Sequence, residues 1–481
     1  MPKEFRIFPT HMEIHPYKKG EYPGLEKMCS TAFDLTTHSR KPIGFVIEDD
    51  TLFVPRGVSI NYITNVTNAL PTMYNKFTLP EPRKMSEQYL IKSKPWSDEQ
   101  KDAINFLLSR GEFEKGQAYS QLVLNMDTGL GKTYATIVAC IVMKVRTLVI
   151  VHRDTIEDQW LSTLREKTTV NMERVCTIRG GDKIRQLMKQ KELDYDFFFT
   201  THQTLTAYVR MHGGYALKEF IDHLHCGIKV VDEAHLCFKS IVYVDMFSNI
   251  PKNFYLTATF GRGDVKEIAL FKRVFANAVK LVRMKEKRDI IYHVVTFNSN
   301  PSVQEQEGVL TGHGFNAHLY ADYAFDRDPN FSILYVFFQI LEQALTYEGK
   351  TLVVIPKISY CEYVTSLIQR EYPDKIVGAV HSKKTVKENL QIKKEAEIIV
   401  STIGSLGTGT DIAEIRNLII MEPFSSVVNG KQLIGRLRQY KQEDSHVFEL
   451  IDKGFKDIPR MYERREKMIR SVCKKIETIE M

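Results

Sequence analysis

Apolar residues in this chain fall mostly in short unbroken runs. In the first half these are Leu122-Val123-Leu124, Thr147-Leu148-Val149-Ile150-Val151, Asp196-Phe197-Phe198-Phe199-Thr200-Thr201, Lys229-Val230-Val231 and Asn253-Phe254-Tyr255-Leu256. In the second half they are Thr351-Leu352-Val353-Val354-Ile355, Ile376-Val377-Gly378-Ala379-Val380, Glu397-Ile398-Ile399-Val400-Ser401 and Leu418-Ile419-Ile420-Met421. Runs of this length without a polar face predict strands buried on both sides. Stretches of helical length lie between them, such as 134–143 and 155–165, the latter with Asp154 as its candidate N-cap. Strands alternating with helices predict parallel sheets covered on both faces. The alternation lapses at 286–330, where Pro301 and the glycines from Gly308 to Gly314 fall, and then resumes. Two successive parallel-sheet units are therefore expected.

The ends of the chain read differently. Phe45-Val46-Ile47 and Leu52-Phe53-Val54 flank Glu48-Asp49-Asp50-Thr51, which predicts a hairpin, and Pro55-Arg56-Gly57 predicts a turn. Pro80, Pro82 and Pro95 punctuate the next stretch and mark a boundary. Residues 1–88 are thus expected to form a small α+β accessory domain. At the other end, Met461, Met468, Val472, Ile476 and Ile479 lie on a helical stripe. They predict a terminal amphipathic helix that packs on its own domain or offers a face to a partner.

Composition narrows the class. A chain of 481 residues is too long for one core. Its 43% hydrophobic and 26% charged content is that of a globular protein. No apolar run approaches the roughly 18 residues of a membrane span, and Met1 to Thr10 lacks a secretory core. The expectation is a soluble protein of a cytosol-like compartment, the host cytoplasm if the source is viral, and not a secreted one. Seven dispersed cysteines without a Cys-x-x-Cys pair suit reduced thiols. His223, His225, Cys226, His235 and Cys237 cluster locally, but their spacing matches no standard zinc site, and packing is the simpler reading. The net charge of +7 is a mild bias toward a polyanion. It is concentrated in Lys272, Arg273, Lys280, Arg283, Lys285, Lys287 and Arg288, and again in Arg460, Arg464, Arg465, Lys467, Arg470, Lys474 and Lys475. Each run is either a solvated helix face or a set of phosphate contacts.

The chemistry centres on Asp127-Thr128-Gly129-Leu130-Gly131-Lys132-Thr133, between a predicted strand and a predicted helix. Glycines there let several backbone N–H groups face one anion, and the helix adds its positive dipole end. Lys132 would reach the β- and γ-phosphates, and Thr133 would offer its hydroxyl to Mg²⁺. The general pattern asks for glycine six residues before the lysine, where Met126 stands. Asp232-Glu233-Ala234-His235 closes a later strand, where a parallel sheet presents its ligands. There Asp232 can hold Mg²⁺ through water and Glu233 can deprotonate an attacking water. Thr257-Ala258-Thr259, Gly407-Thr408-Gly409-Thr410-Asp411 and Gln432-Leu433-Ile434-Gly435-Arg436 come next, in that order. Arg436 could stabilise a transferring phosphoryl group, as an arginine finger does.

This ordered set, over about residues 95–450, resembles the superfamily 2 helicases. The resemblance implies two tandem RecA-like domains, 89–285 and 286–481, with ATP and Mg²⁺ as cofactors and closure on ATP between the domains. It makes Gln100 the residue that reads adenine and Asp127 to Thr133 motif I. Asp232 to His235 becomes motif II, and Thr257 to Thr259 the coupling motif III. Arg153 in Val149 to Arg153, and Thr201 in Thr201 to Leu205, fall in strand-tracking motifs Ia and Ib. Thr351 to Pro356 is similar to motif IV. Thr402, Gly409 and Asp411 fall in motif V, and Gln432 to Arg438 in motif VI. Leu256 to Thr259 with Arg262 and Asp264 is similar to the branch of XPB-type and phage UvsW-type helicases. That branch implies remodelling of branched DNA in replication, recombination or repair: fork regression, branch migration and R-loop removal. RNA is the alternative partner, in a transcript-releasing ATPase. Two departures stand out: His152 where motif Ia often has proline, and Arg438 one residue early, with Gln439 where the last motif VI arginine is usual.

Overall fold

The computed structural model describes residues 2–29, 32–34, 39–41, 44–73, 81–95, 97–109, 121–127, 129–236, 238–258, 271, 274–276, 278–283, 288–312, 314–326, 333–406, 412, 414–437 and 443–481. The chain divides into two compact units, Met1–Met284 and Lys285–Met481.

The first unit is built on a seven-stranded sheet. Its strands lie in the order Val175–Ile178, Phe197–Thr201, Thr147–Val151, Ile228–Val231, Lys252–Thr257, Gln121–Met126, Val279–Arg283. Every pairing in it is parallel. The unbroken apolar runs have a simple cause: successive side chains feed opposite cores. Leu148, Ile150, Phe198 and Tyr255 pack on one face. Val149, Val151, Phe197, Phe199 and Phe254 pack on the other.

Both edge strands escape a pattern search. Val175–Ile178 buries only Cys176 and Ile178, and Val279–Arg283 buries only Leu281. The first basic run is corrected here. Lys280 and Arg283 lie on that edge strand and not on a helix, and Arg283 pairs with Asp102 at 3.0 Å. Arg288 opens a strand of the second unit. Lys272, Arg273, Lys285 and Lys287 lie outside the described residues.

The second unit repeats the plan, with strands in the order Val377–Val380, Ile398–Ser401, Lys350–Val354, Ile415–Ile420, Ser445–Asp452, Arg288–Phe297, Cys473–Glu480. All pairings are again parallel. Arg288–Phe297 comes from the stretch expected to be irregular. The terminal helix is also corrected: it spans Asp457–Val472, and the chain then turns into the edge strand Cys473–Glu480. Val472, Ile476 and Ile479 do fit a helical stripe. The β-branched Ile-Glu-Thr-Ile run instead finds an open sheet edge, with Ile479 beside Val295, and takes its main-chain hydrogen bonds there.

The second basic run is split by the fold. Arg465 is 1% exposed, ion-paired with Glu449 and stacked 3.9 Å from the Phe424 ring centroid. Tyr292 donates to the same Glu449. Arg465 is therefore an internal strut, not a phosphate contact; removing its partner alone would strand a buried charge. Arg470 pairs with Glu466, and Lys474 with Asp444 at 3.0 Å, on the surface.

A mixed five-stranded sheet precedes the first large one, in the order Val46–Glu48, Thr51–Pro55, His11–His15, Glu4–Ile7, Pro71–Met73. Its hairpin turns through Asp49 and Asp50 at φ 46° and 55°, the conformation tight hairpins require. The same hairpin fastens the small sheet to its neighbours. Glu48 accepts from Gly214 N at 2.8 Å and Tyr215 N at 3.0 Å, capping helix Gly214–His223 with a carboxylate. Thr10 Oγ1 donates to Asp245 O at 2.6 Å, and the Phe53 ring lies 4.8 Å from that of Phe247.

The second sheet also holds a proton-sensitive pair. His293 Nε2 lies 3.1 Å from His446 Nδ1, and Tyr347 stacks on His446 at 3.6 Å. Burial, then the neighbouring His293, pushes the His446 pKa down to about 4. The sign comes from linkage. The folded pKa lies below the unfolded value near 6.5, so the unfolded chain binds more protons as pH falls. Stability from this pair is full above about pH 6.5 and is lost toward about pH 4. Urea midpoints of the wild type should fall across that window more steeply than those of His446→Phe, which keeps the stack without the titrating ring. Equal slopes would show that the pair carries no linkage.

Candidate active site

Strand Gln121–Met126 leads into the glycine turn, and helix Lys132–Met143 leaves it. Gly129 and Gly131 have φ of 83° and 85°, a left-handed region costly for any side chain. Gly131 is the N-cap, and no side chain caps the helix. The first N–H groups and the positive dipole end thus face outward for an anion. A Cβ at 131 would lie 1.9 Å from Gln100 Nε2. Gln100 is 1% exposed, on helix Asp98–Leu107, which packs on helix Lys132–Met143. The fold has brought the expected adenine reader against the turn. Lys132 is 8% exposed and donates from Nζ to Met126 O at 2.8 Å and Asp127 O at 3.4 Å, so its ammonium folds over the carbonyls of its own loop. Leu130 is buried, and Thr133 is half-buried in the first helical turn. Thr128 lies outside the described residues.

Asp232 follows strand Ile228–Val231, in the middle of the sheet. Its N–H donates to Ile150 O at 2.9 Å, and that of Ala234 to Leu256 O at 2.9 Å, which stitches the turn to both flanking strands. Glu233 takes φ 46°, an unfavourable setting of about 1–2 kcal/mol for a residue with a Cβ. Asp232 is held on two sides: Oδ1 accepts from Glu233 N at 2.8 Å and Oδ2 from Trp160 Nε1 at 2.7 Å. Burial, with the Glu233 charge beside it, pushes the Asp232 carboxyl up to about 6, against the pull of Trp160 and Lys132. Burial also raises Glu233, and Lys132 opposes it. His235 Nδ1 lies 3.0 Å from Thr257 Oγ1 and 3.2 Å from Glu233 Oε2, which joins the acidic turn to the end of strand Lys252–Thr257. Thr259 lies outside the described residues.

The donor set suits Mg²⁺ and a triphosphate. It offers a buried aspartate with lone pairs remaining on each oxygen, a hydroxyl, an ammonium, and a helix start with no cap of its own. A bound cation would also relieve the burial that disfavours two adjacent carboxylates.

The residues expected to track a strand fall in two places. Arg153 and Thr201 stand at the carboxyl ends of adjacent strands Thr147–Val151 and Phe197–Thr201. Arg153 is exposed and is the actual N-cap of helix Asp154–Lys167; Asp154, expected as the cap, is instead its first residue, where its charge meets the helix dipole. Thr201 caps helix His202–His212, accepting from Thr204 N at 3.2 Å. Thr402, in the second unit, accepts from Ser405 N at 3.0 Å. Gln432 is half-buried on helix Val427–Ile434, and Arg436 comes after it with Nη2 donating to Leu406 O at 3.1 Å. Gly409, Asp411 and Arg438 lie outside the described residues.

Three partners were missed in the sequence. Trp160 holds Asp232, and no local pattern marks it for that role. His202 places its Nε2 3.1 Å from Nδ1 of His152, the residue noted where proline is usual, and burial pushes His202 down to about 4. Glu422 accepts from Ile403 N at 3.3 Å, and burial pushes it up to about 7. The histidine and cysteine cluster disperses: His223 Nε2 lies 3.1 Å from Leu187 O and His225 Nδ1 3.2 Å from Glu81 O. Among the described residues no group of three or more His, Cys, Asp or Glu could hold a metal.

The two parallel sheets with their covering helices define the tandem RecA-like class. Residues 93–262 match the family model described as "Type III restriction enzyme, res subunit". The chain is 22% identical over 475 residues to "Putative helicase 161L" of Invertebrate iridescent virus 6, covering 92% of this chain and 94% of that one. It is 21% identical over 345 residues to "Transcript termination protein A18" of Fowlpox virus, 70% of each chain. Among solved structures, the DEAD-box helicase Mss116 bound to single-stranded RNA superposes with TM-score 0.54 at 16% identity, over 80% of this chain and 75% of that one. Helicase Lhr of Mycobacterium smegmatis, bound to single-stranded DNA and AMP-PNP, gives 0.50 at 17% identity, over 77% and 48%. The solved structures share the fold, and the chain is similar over most of its length to a viral protein described as a putative helicase. No described helix is long and apolar enough to cross a membrane.

Proposed function

We propose that the chain is an ATP-driven translocase of the XPB and UvsW type that remodels branched DNA. The observation that carries the proposal is the uncapped helix start at Gly131, with Lys132 and the buried Asp232-Glu233 turn beside it. In this reading Lys132 and the loop N–H groups hold the phosphates, and Gln100 selects the base. Thr133 and Asp232 would hold Mg²⁺, which would neutralise charge on the phosphates of ATP, the substrate that brings the phosphoanhydride bond. Glu233 takes the proton of the attacking water, and Arg436 stabilises the charge that develops on the phosphoryl group. Gly409 and Asp411 would add to nucleotide binding. His235, Thr257, Thr259 and Gln432 relay the state of the nucleotide toward the strand.

The DNA is held at Arg153, Thr201 and Thr402, mainly through phosphates, so salt dependence is steep. Residues 1–88 select the junction, 89–285 bind ATP, and 286–481 form the second motor domain. The biological setting is replication, recombination or repair in the cytoplasm of a cell, or of a phage- or virus-infected host.

A second reading, transcript release, draws on the name of the fowlpox relative and on the RNA-bound Mss116 structure. An ATPase panel separates the two. Forked DNA should stimulate hydrolysis more than linear duplex or single-stranded RNA at equal phosphate concentration. Greater stimulation by RNA would favour the second reading, and no stimulation by any of them would refute both.

A further inference from the structure

Asp232 is fixed by two hydrogen bonds of different kinds. The donor to Oδ1 is the next main-chain N–H, that of Glu233, so it belongs to the turn itself. The donor to Oδ2 stands 72 residues away in the chain: Trp160 Nε1, at 2.7 Å. Trp160 lies on helix Asp154–Lys167 and is 1% exposed. Ile156 and Leu164, one turn before and one turn after it, are buried on the same helix face and are purely apolar. With Phe199 they belong to the core on that side of the sheet.

The indole does more than fill that core. Its ring meets Phe199 edge-on, with centroids 6.3 Å apart, so packing sets the direction of its N–H. An indole has one donor and no acceptor. Pointed at a carboxylate, it forms a charge-assisted bond, and the same N–H unpaired in this core would be costly. Ile156 and Leu164 show that apolar side chains pack on this face, yet position 160 carries a polar atom and commits it to Asp232. One hydrogen bond holds one oxygen and lets the carboxylate plane rock about it. The second, from a ring that is itself locked, holds the plane.

We propose that Trp160 is a positioning residue for the metal site: it locks the Asp232 carboxylate in the orientation in which its remaining lone pairs take up the Mg²⁺ of the bound nucleotide. The inference rests on the nucleotide-binding reading above and deepens it by assigning the residue that orients the ligand. Side chains that touch a metal ligand, and not the metal, govern affinity by fixing the ligand's orientation, and their loss costs about ten- to a hundredfold.

Calorimetric titration of the full chain with ADP, in MgCl₂ and in EDTA, tests this without hydrolysis. The wild type should bind ADP more tightly with Mg²⁺. Trp160→Phe keeps an aromatic ring in the core and removes the donor. It should bind ADP in EDTA as the wild type does and lose about tenfold or more of the affinity in MgCl₂. In an Asp232→Ala background, Trp160→Phe should cost nothing further in MgCl₂, because the two residues act on the metal as a unit. Equal losses in both buffers, or no loss in either, would make Trp160 a packing residue and overturn the inference alone. If the phenylalanine variant fails to fold, Trp96→Phe decides, since it leaves Trp160 as the single indole of the chain. The emission of Trp160 should then respond to MgCl₂ added to the ADP complex, and emission indifferent to Mg²⁺ overturns the inference. A wild type that binds ADP no better with Mg²⁺, or not at all, overturns the metal-site reading of Asp232 and this inference with it.

Discussion

Lys132→Ala should abolish ATP hydrolysis and leave DNA binding largely intact. The ammonium stands beside both buried carboxylates, whose ionised forms it favours. It is the one side-chain cation of motif I. Removing it takes away transition-state charge stabilisation, which costs about a hundredfold or more in kcat when a preorganised group is lost. It also leaves Asp232 and Glu233 without the charge that offsets their burial, so both hold their protons more tightly and serve less well as metal ligand and base. The fold should survive. Without nucleotide, the hydrogen bonds lost are the donations to Met126 O and Asp127 O, about 1 kcal/mol each. Arg153 and Thr201 stand at the ends of other strands, so oligonucleotide affinity should stay within a few-fold. Phosphate release and anisotropy on one preparation check both halves. ATPase at the wild-type rate in this variant would remove the motor reading.

Gly131→Ala should be nearly as damaging, for a steric reason. The residue is held at φ 85°, where a Cβ costs about 1–2 kcal/mol. That Cβ would also fall 1.9 Å from Gln100 Nε2. Gln100 is the movable partner, since the overlap is with the far end of its side chain, yet it is buried and has little room to retreat. The change should therefore both strain the turn and displace the residue proposed to select the base. Nucleotide affinity should fall about tenfold or more, since 1.4 kcal/mol already accounts for tenfold. Gln100→Ala combined with Gly131→Ala removes the overlap but not the φ strain, so it should restore thermal stability in part and affinity less. Unchanged nucleotide affinity in Gly131→Ala would show that the turn is not the phosphate cradle.

The sequence alone carried the elements whose residues answer to a single local cause. Unbroken apolar runs marked nine of the strands to within three residues, because a strand buried on both faces needs no polar position; the inner strands Arg288–Phe297 and Ser445–Asp452, with His293, His446 and Glu449 among their apolar residues, went unmarked. The glycine turn before Lys132 and the Asp232-Glu233 pair were legible for a similar reason: two glycines at short spacing take the left-handed turn between a strand and a helix, and Asp232-Glu233 ends a plainly apolar strand. Tertiary structure decided whatever depended on a distant partner. The edge strands Val279–Arg283 and Cys473–Glu480 exist because a sheet offers them main-chain hydrogen bonds, which no local pattern announces. Arg465 and Arg470 look alike in the chain, and only the position of Glu449 made one of them an internal strut. Trp160 against Asp232, Gln100 over Gly131 and Arg179 against Glu157 are likewise pairings across the fold, set by which helix packs on which strand end. Periodicity records only whether a side chain faces inward; what it meets there is settled by the packing of segments far apart in the chain.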